Sequence, residues 1–429
     1  MPKNFVISII IVFISFSKLL MASDIDSELV YSNEIRKTSI HTVQMYPLDW
    51  ELTEPIIELN GDNQLLFSFD EIEENIQDYS YRIIHCTSNW LDSRLSEFDF
   101  IDGFTENQIK DYEHSFNTNI DFVHYTLRIP NDDIQLKLSG NYVLEVYEDF
   151  DPEKVIIRQR FMLLDSKVEV QGKVKHPISI DQRETHQEVD FSILHPNFRI
   201  DNPHSDLNVI LTQNNRLDGS QKNLKPIFIR KNELVFDYEM ENVFAGGNEF
   251  RNFDLKSLRY QTRYIREIVS EKGQTNVLLT PGNNRHFKQY IYEQDINGRF
   301  LIDVQERDEP ATEADYCMVT FWLPFDNEIT HGDLYVYGDF CNWMCNDKTK
   351  MEYDYETGSY RKTIFLKQGY YNYQFALLEH GKTEPDLSYI EGSHWETENN
   401  YVIYIYYHDI ALNYDMLIGY KNINSTATF

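Results

Sequence analysis

The stretch Ala245-Gly246-Gly247-Asn248-Glu249-Phe250-Arg251 gathers residue types suited to gripping a partner. Adjacent glycines permit positive φ and close backbone approach, and Glu249 and Arg251 bracket an aromatic ring. Two readings compete. One is a partner-binding loop made of Gly246, Gly247, Asn248, Glu249, Phe250 and Arg251; the other is a strained turn closed by a local ion pair. His85, His114 and His124 offer imidazole nitrogens to a metal, but their spacing is irregular for a ligand set. His85, within Tyr81-Arg82-Ile83-Ile84-His85-Cys86, reads more simply as a strand residue bonded to backbone. Asp295, Asn297, Gly298 and Glu306 echo parts of a calcium loop, yet the strand-like run between them favours an Asn-Gly hairpin. Cys341 and Cys345 are close enough in sequence for a disulfide, which geometry decides. Cys86 and Cys317 stand apart, and one Cys-x3-Cys is a weak zinc signal. Nucleophile-elbow, P-loop, dinucleotide and H-E-x-x-H motifs do not occur. The chain therefore reads as a non-enzyme, with no metal and no cofactor expected.

Strands must position these residues. Leu65–Phe69, Tyr79–Ile84, Phe122–Ile129, Asn141–Tyr147 and Val155–Leu164 are short runs rich in Tyr, Phe, Val and Ile, suited to half-buried pleated surfaces. Turn signals such as Asn60-Gly61-Asp62-Asn63 and Ser139-Gly140-Asn141 separate them. A second set holds Val189–Leu194, Leu207–Gln213, Glu233–Tyr238, Tyr260–Ile265 and a hairpin of Gln289–Glu293 with Phe300–Gln305. A third holds Cys317–Leu323, Asp333–Tyr337, Tyr360–Leu366, Tyr370–Leu378 and Tyr401–Tyr407. Helical periodicity is scarce, so the fold class expected is all-β, built of several β-sandwiches. The expected units are 24–165, 166–306 and 316–420, with a charged, Pro-containing linker at 307–315 and a frayed tail at 421–429.

The chain has 429 residues and a formal net charge of −31, from 39 Lys+Arg against 70 Asp+Glu. That length can hold several cores. The acidity makes nucleic acid an improbable partner, because phosphates would be repelled. Residues 1–22 read as a signal peptide: Lys3, an apolar run from Phe5 to Phe16, then Leu20-Met21-Ala22 at a plausible cleavage point. The alternative is an uncleaved anchor. No later run approaches the ~18 apolar residues of a membrane-spanning helix. Export is expected.

Tyr335-Val336-Tyr337-Gly338-Asp339-Phe340-Cys341-Asn342-Trp343, with Leu366 to Phe375, resembles the early-set, immunoglobulin-like β-sandwich of glycogen-binding modules. The resemblance implies that the C-terminal unit has this fold. It leaves Trp343 two roles, a platform for a sugar face or a ring covering the sandwich end.

A second resemblance spans about residues 40 to 420. Tyr79-Ser80-Tyr81 runs to His85-Cys86 and Trp90-Leu91-Asp92-Ser93. Ser115-Phe116-Asn117-Thr118 and His124-Tyr125 follow, then Ser139-Gly140-Asn141-Tyr142 and Arg160-Phe161-Met162. Gly246-Gly247-Asn248-Glu249-Phe250-Arg251, Lys367-Gln368-Gly369-Tyr370-Tyr371-Asn372-Tyr373 and Glu391-Gly392-Ser393 close the series. The order resembles the plug protein of the type IX secretion system of Bacteroidota. Leu217-Asp218-Gly219 departs from it, standing where an aromatic is expected. The resemblance implies a periplasmic, non-enzymatic protein held against the inner face of the outer membrane. There it would reversibly seal the periplasmic opening of a giant β-barrel translocon. The alternative is an exported carbohydrate-binding protein that uses Trp343.

Overall fold

The alternation of apolar residues in Leu65–Glu71 turns Leu65, Phe67 and Phe69 into one core. Its opposite face is also buried, at Ser68 and Asp70, so a second layer must cover it. A computed structural model describes residues 29–73 and 75–428; the expected signal segment 1–22 lies outside them. The first sandwich packs the sheet of Ile40–Pro47, Leu65–Glu71, Val123–Ile129 and Asp111–His114 on a second sheet. That second sheet is ordered Glu34–Ile35, Val155–Leu164, Gly140–Glu148, Tyr79–Cys86 and Glu106–Gln108. Helix is as scarce as expected: Glu97–Phe100 makes one short turn before the strands Glu106–Gln108 and Asp111–His114.

The second sandwich departs from the expected order. Tyr401–Tyr407 was expected in the C-terminal unit, yet Asn400–Asp409 pairs antiparallel with Leu207–Gln213 along its whole length. Tyr414–Asn424 pairs with it in turn, so the approach to the expected tail and its first four residues, 421–424, are strand. The other sheet is built on Glu169–Lys175, His186–Leu194, Glu233–Phe236 and Phe228–Arg230. Val209 and Leu211 bury beside Ile403 and Ile405 in one core, which explains the pairing.

The third sandwich is thus inserted in the second. Its core draws on residues from Phe253 to Ile390, between Gly369–Glu379 with its neighbours and the sheet around Tyr316–Pro324 and Ser359–Lys367. The expected boundaries at 306 and 316 do not coincide with this core. Residues 307–315 are no loose linker: Pro310–Glu313 is helical, and Thr312, Ala314 and Asp315 are buried. The Asn297-Gly298 turn exists, with both residues at positive φ, but the hairpin does not. Phe300–Ile302 pairs instead with Gly369–Tyr371. A further apolar layer, including Trp90, Val143, Met162, Ile210, Tyr406 and Leu417, cements the first sandwich to the second.

Near that layer, His85 sits among the rings of Phe100, Tyr142 and Tyr414. Its Nε2 lies 3.4 Å from the Ser139 carbonyl, and its buried Nδ1 has no partner. Burial pushes its pKa down to about 4. The unfolded chain binds a proton near pH 6.5 that the folded chain refuses, so this stabilisation is complete above pH 6.5 and is lost toward pH 4. Between pH 7 and 5, the native protein is expected to lose about 2 kcal/mol more stability than His85→Leu, whatever their absolute stabilities. Urea unfolding of both proteins at the two pH values checks this.

Candidate functional site

Three sandwiches meet on a small set of buried charges. Glu54, just ahead of the strand Ile56–Glu58, receives Arg299 Nη2 at 2.7 Å and the Tyr420 hydroxyl at 2.6 Å. One carboxylate thereby ties all three sandwiches. Beside it opens a cavity of about 340 Å³, lined by Met45, Trp90 and Arg160 of the first sandwich, Tyr404 of the second and Trp343 of the third. The Arg160 guanidinium lies over Trp90 at 4.4 Å and donates to the Tyr31 carbonyl. Burial lowers its pKa to about 10.

A second tie joins the first and third sandwiches. Lys367 and Asp70 are both buried, and the ammonium donates to Asp70 Oδ2 at 2.6 Å. The Tyr316 hydroxyl donates to the same oxygen at 2.6 Å, and His124 Nδ1 meets Oδ1 at 2.6 Å. Asp315 adds to this seam by accepting from the backbone and side chain of Asn119 and from Ile120 N. The sequence singled out none of Asp70, Glu54 or Arg299, and Lys367 only as part of a resembling motif, not as a site residue. The available signal was polarity inside apolar runs: Asp70 after Phe67-Ser68-Phe69, and Lys367 before a tyrosine-rich strand.

The Gly246–Arg251 stretch is where the chain crosses from the second sandwich to the third, beside the returning segment. A Cβ on Gly246 would lie 2.0 Å from the His394 carbonyl oxygen. Gly247 O accepts from His394 N at 2.8 Å and from Thr397 Oγ1 at 2.8 Å. Asn248, Glu249 and Phe250 are buried. Asn248 donates to Glu391 O, Glu249 accepts from Tyr290, and Arg251 binds the Glu391 carboxylate. The expected partner-binding loop is therefore turned inward and acts as an internal clasp. Its ion pair is long-range, with Glu391 rather than Glu249.

The other candidates also have internal partners. Asp295 accepts from Asn297 N and Phe250 N, and burial pushes its carboxyl up to about 7 against those two donors. Glu306 accepts from Ser257, so the calcium-loop pattern is not assembled. Trp343 sits edge-on to Phe250 and Tyr337, over Gly298, with its ring at the junction cavity. Cys341 and Cys345 are free thiols; Cys341 Sγ donates to Gly338 O at 3.0 Å, so the possible disulfide is not formed. His114 is exposed, whereas His85 and His124 have the separate settings already given, and the three are not brought together. Among the described residues, Glu188, Asp190 and Asp237 alone cluster tightly enough to hold a cation. The Lys175 ammonium lies among them, at 3.1, 2.5 and 3.2 Å.

No described helix is long and apolar enough to cross a membrane. Comparison with curated proteins finds no match. The crystal structure of a hypothetical protein from Parabacteroides merdae is similar, with a TM-score of 0.89 and 33% identity. The match covers 92% of this chain and 100% of that one. The type 9 secretion system plug protein first domain matches residues 40–165, which are the first sandwich. Within this all-β body of sandwiches, residues 40–165 belong to the first-domain family of type 9 secretion system plug proteins.

Proposed function

We propose that this chain is a non-enzymatic periplasmic plug that reversibly seals the periplasmic opening of the type IX outer-membrane barrel translocon. The observation that carries the reading is the way three sandwiches are fixed to each other through buried ion pairs, at Glu54–Arg299 and Asp70–Lys367. A seal must resist deformation while it docks and leaves, and buried charges locked between cores supply that resistance. The acidic chain suits a reversible, polar contact better than an obligate apolar one.

A C-terminally tagged protein purified from its native envelope in mild detergent is expected to bring down a very large outer-membrane barrel. Because the chain carries −31, recovery should fall as salt rises from 0.05 to about 0.5 M. Absence of the barrel from the eluate, identified by mass spectrometry, overturns the proposal. Recovery unchanged by salt overturns its electrostatic component.

A further inference from the structure

The first sandwich has a sheet edge that no described strand fills. Glu106–Gln108 pairs with Tyr79–Cys86 on one side, at Ser80↔Gln108, Tyr81↔Asn107 and Arg82↔Glu106. No strand among the described residues pairs with its other side. An exposed edge is a template for an added strand.

A cavity of about 360 Å³ lies against this edge, and Phe104, Tyr147 and Phe150 are among the residues that line it. Phe104 and Phe150 are 66% and 60% exposed. The backbone beneath each ring is constrained. Phe104 follows Gly103, whose φ of 118° and approach to Asp133 O, 2.3 Å from where a Cβ would stand, admit no side chain. Phe104 N then donates to Asp133 O at 2.9 Å.

Phe150 sits in the first turn of the six-residue connection, 149–154, between Gly140–Glu148 and Val155–Leu164. Asp149 and Phe150 have φ of 56° and 58°, and Asp151 N donates to Glu148 O at 2.9 Å. That is a type I′ geometry, which favours Asn-Gly. A bulky residue in the left-handed region is strained, and such strain persists where function keeps it. The turn itself gains little from the ring, which points into solvent beside the cavity.

The charge around the groove selects its occupant. Lys110 is already paired with Asp133 at 2.7 Å, and Lys154 with Asp149 at 2.8 Å. Glu97 and Glu106 are exposed, no cation among the described residues lies within salt-bridge distance of them, and their charges, after burial, raise the Tyr147 pKa. A groove that sets three aromatic rings, Phe104, Tyr147 and Phe150, beside Glu106 and an already paired Lys110 complements an apolar side chain between Lys or Arg residues.

We propose that the groove between Phe104 and Phe150, along the open edge of Glu106–Gln108, docks an extended segment of the translocon that carries an apolar side chain between basic neighbours. The identity of this partner rests on the plug reading; the groove rests on the geometry above. The added strand would take its backbone bonds from the open edge and seat the apolar side chain in the cavity.

The test places the photocrosslinking residue p-benzoylphenylalanine at position 104, 150 or, as a control on another exposed apolar edge, 228, in the full-length protein in cells. Adducts with the barrel from 104 and 150, and not from 228, are expected. Phe150→Gly, which suits the turn, is expected to leave the thermal midpoint unlowered while cutting the adduct from position 104 at least about tenfold. Barrel adducts from 228 alone overturn the groove and leave the plug reading standing. Adducts from 104 and 150 with a different protein keep the groove and overturn the translocon as its occupant. No adduct from 104 or 150, or a yield from 104 untouched by Phe150→Gly, overturns the groove.

Discussion

Lys367→Met is expected to destabilise the protein by about 3–5 kcal/mol, because it strands a carboxylate between two sandwiches. The Lys367 ammonium donates to Asp70 Oδ2 at 2.6 Å and to Ala311 O at 2.6 Å, over the face of Phe122 at 4.1 Å. Methionine fills the stem but supplies neither the charge nor the donors. Asp70 then keeps only Tyr316 and His124. Burial alone would raise the Asp70 pKa; the ammonium and His124 more than offset it and hold the carboxyl below its ordinary 3.8. A depressed folded pKa contributes stability that is complete above the unfolded value and is lost as pH falls through the folded one. The deficit of Lys367→Met should therefore be full at pH 7 and narrow only below about pH 4. Asp70→Asn added to Lys367→Met removes the stranded charge while keeping an acceptor for Tyr316, so the double variant should recover most of the loss. Urea unfolding of the four proteins closes the cycle. An additive double variant would show that the pair does not couple the sandwiches.

The strands of this protein are legible because alternation reports which face of a strand is buried. Phe67 and Phe69 entered the first core as expected, and Val209 and Leu211 entered the second. Alternation does not report the partner. Tyr401–Tyr407 follows Tyr370–Leu378 in sequence and pairs with Leu207–Gln213 in space, so the inserted third sandwich was not legible. Charge was misleading at 307–315, where Asp315 is buried because Asn119 and Ile120 donate to it from another sandwich. Glycine at Gly246 correctly signalled a close backbone approach. A glycine pair does not say whether the approaching chain is foreign, and here it is His394 of the same chain. Long-range ties such as Glu54–Arg299 leave no local pattern, since the partners are 245 residues apart and each reads as an ordinary surface charge.

Glu391→Gln is expected to cost about 3–5 kcal/mol, for the converse reason: it strands two cations. Glu391 is fully buried and receives Arg251 Nε at 2.9 Å, Arg285 Nε at 2.7 Å and the backbone N–H of Phe375 at 2.9 Å. Glutamine can keep the Phe375 bond through its oxygen, but its amide nitrogen then points a donor at two guanidiniums. Burial raises the Glu391 pKa, while Arg251 and Arg285 outweigh it and hold the carboxyl below its ordinary 4.5. The contribution is thus complete above pH 4.5 and lost as pH falls through the depressed value. The gap between native protein and variant should be widest at neutral pH and shrink in acid, which chemical unfolding at pH 7 and pH 3.5 checks. The position of Glu391 makes the effect structural as well as energetic. It ends the turn Ser388–Glu391, from which the chain returns to the second sandwich, and Arg251 begins the strand by which the chain entered the third. Hydrogen exchange in Glu391→Gln should therefore accelerate together over 245–251 and 391–399, the outgoing and returning crossings. Acceleration confined to the third sandwich alone would mean that Glu391 stabilises one core and does not clasp two.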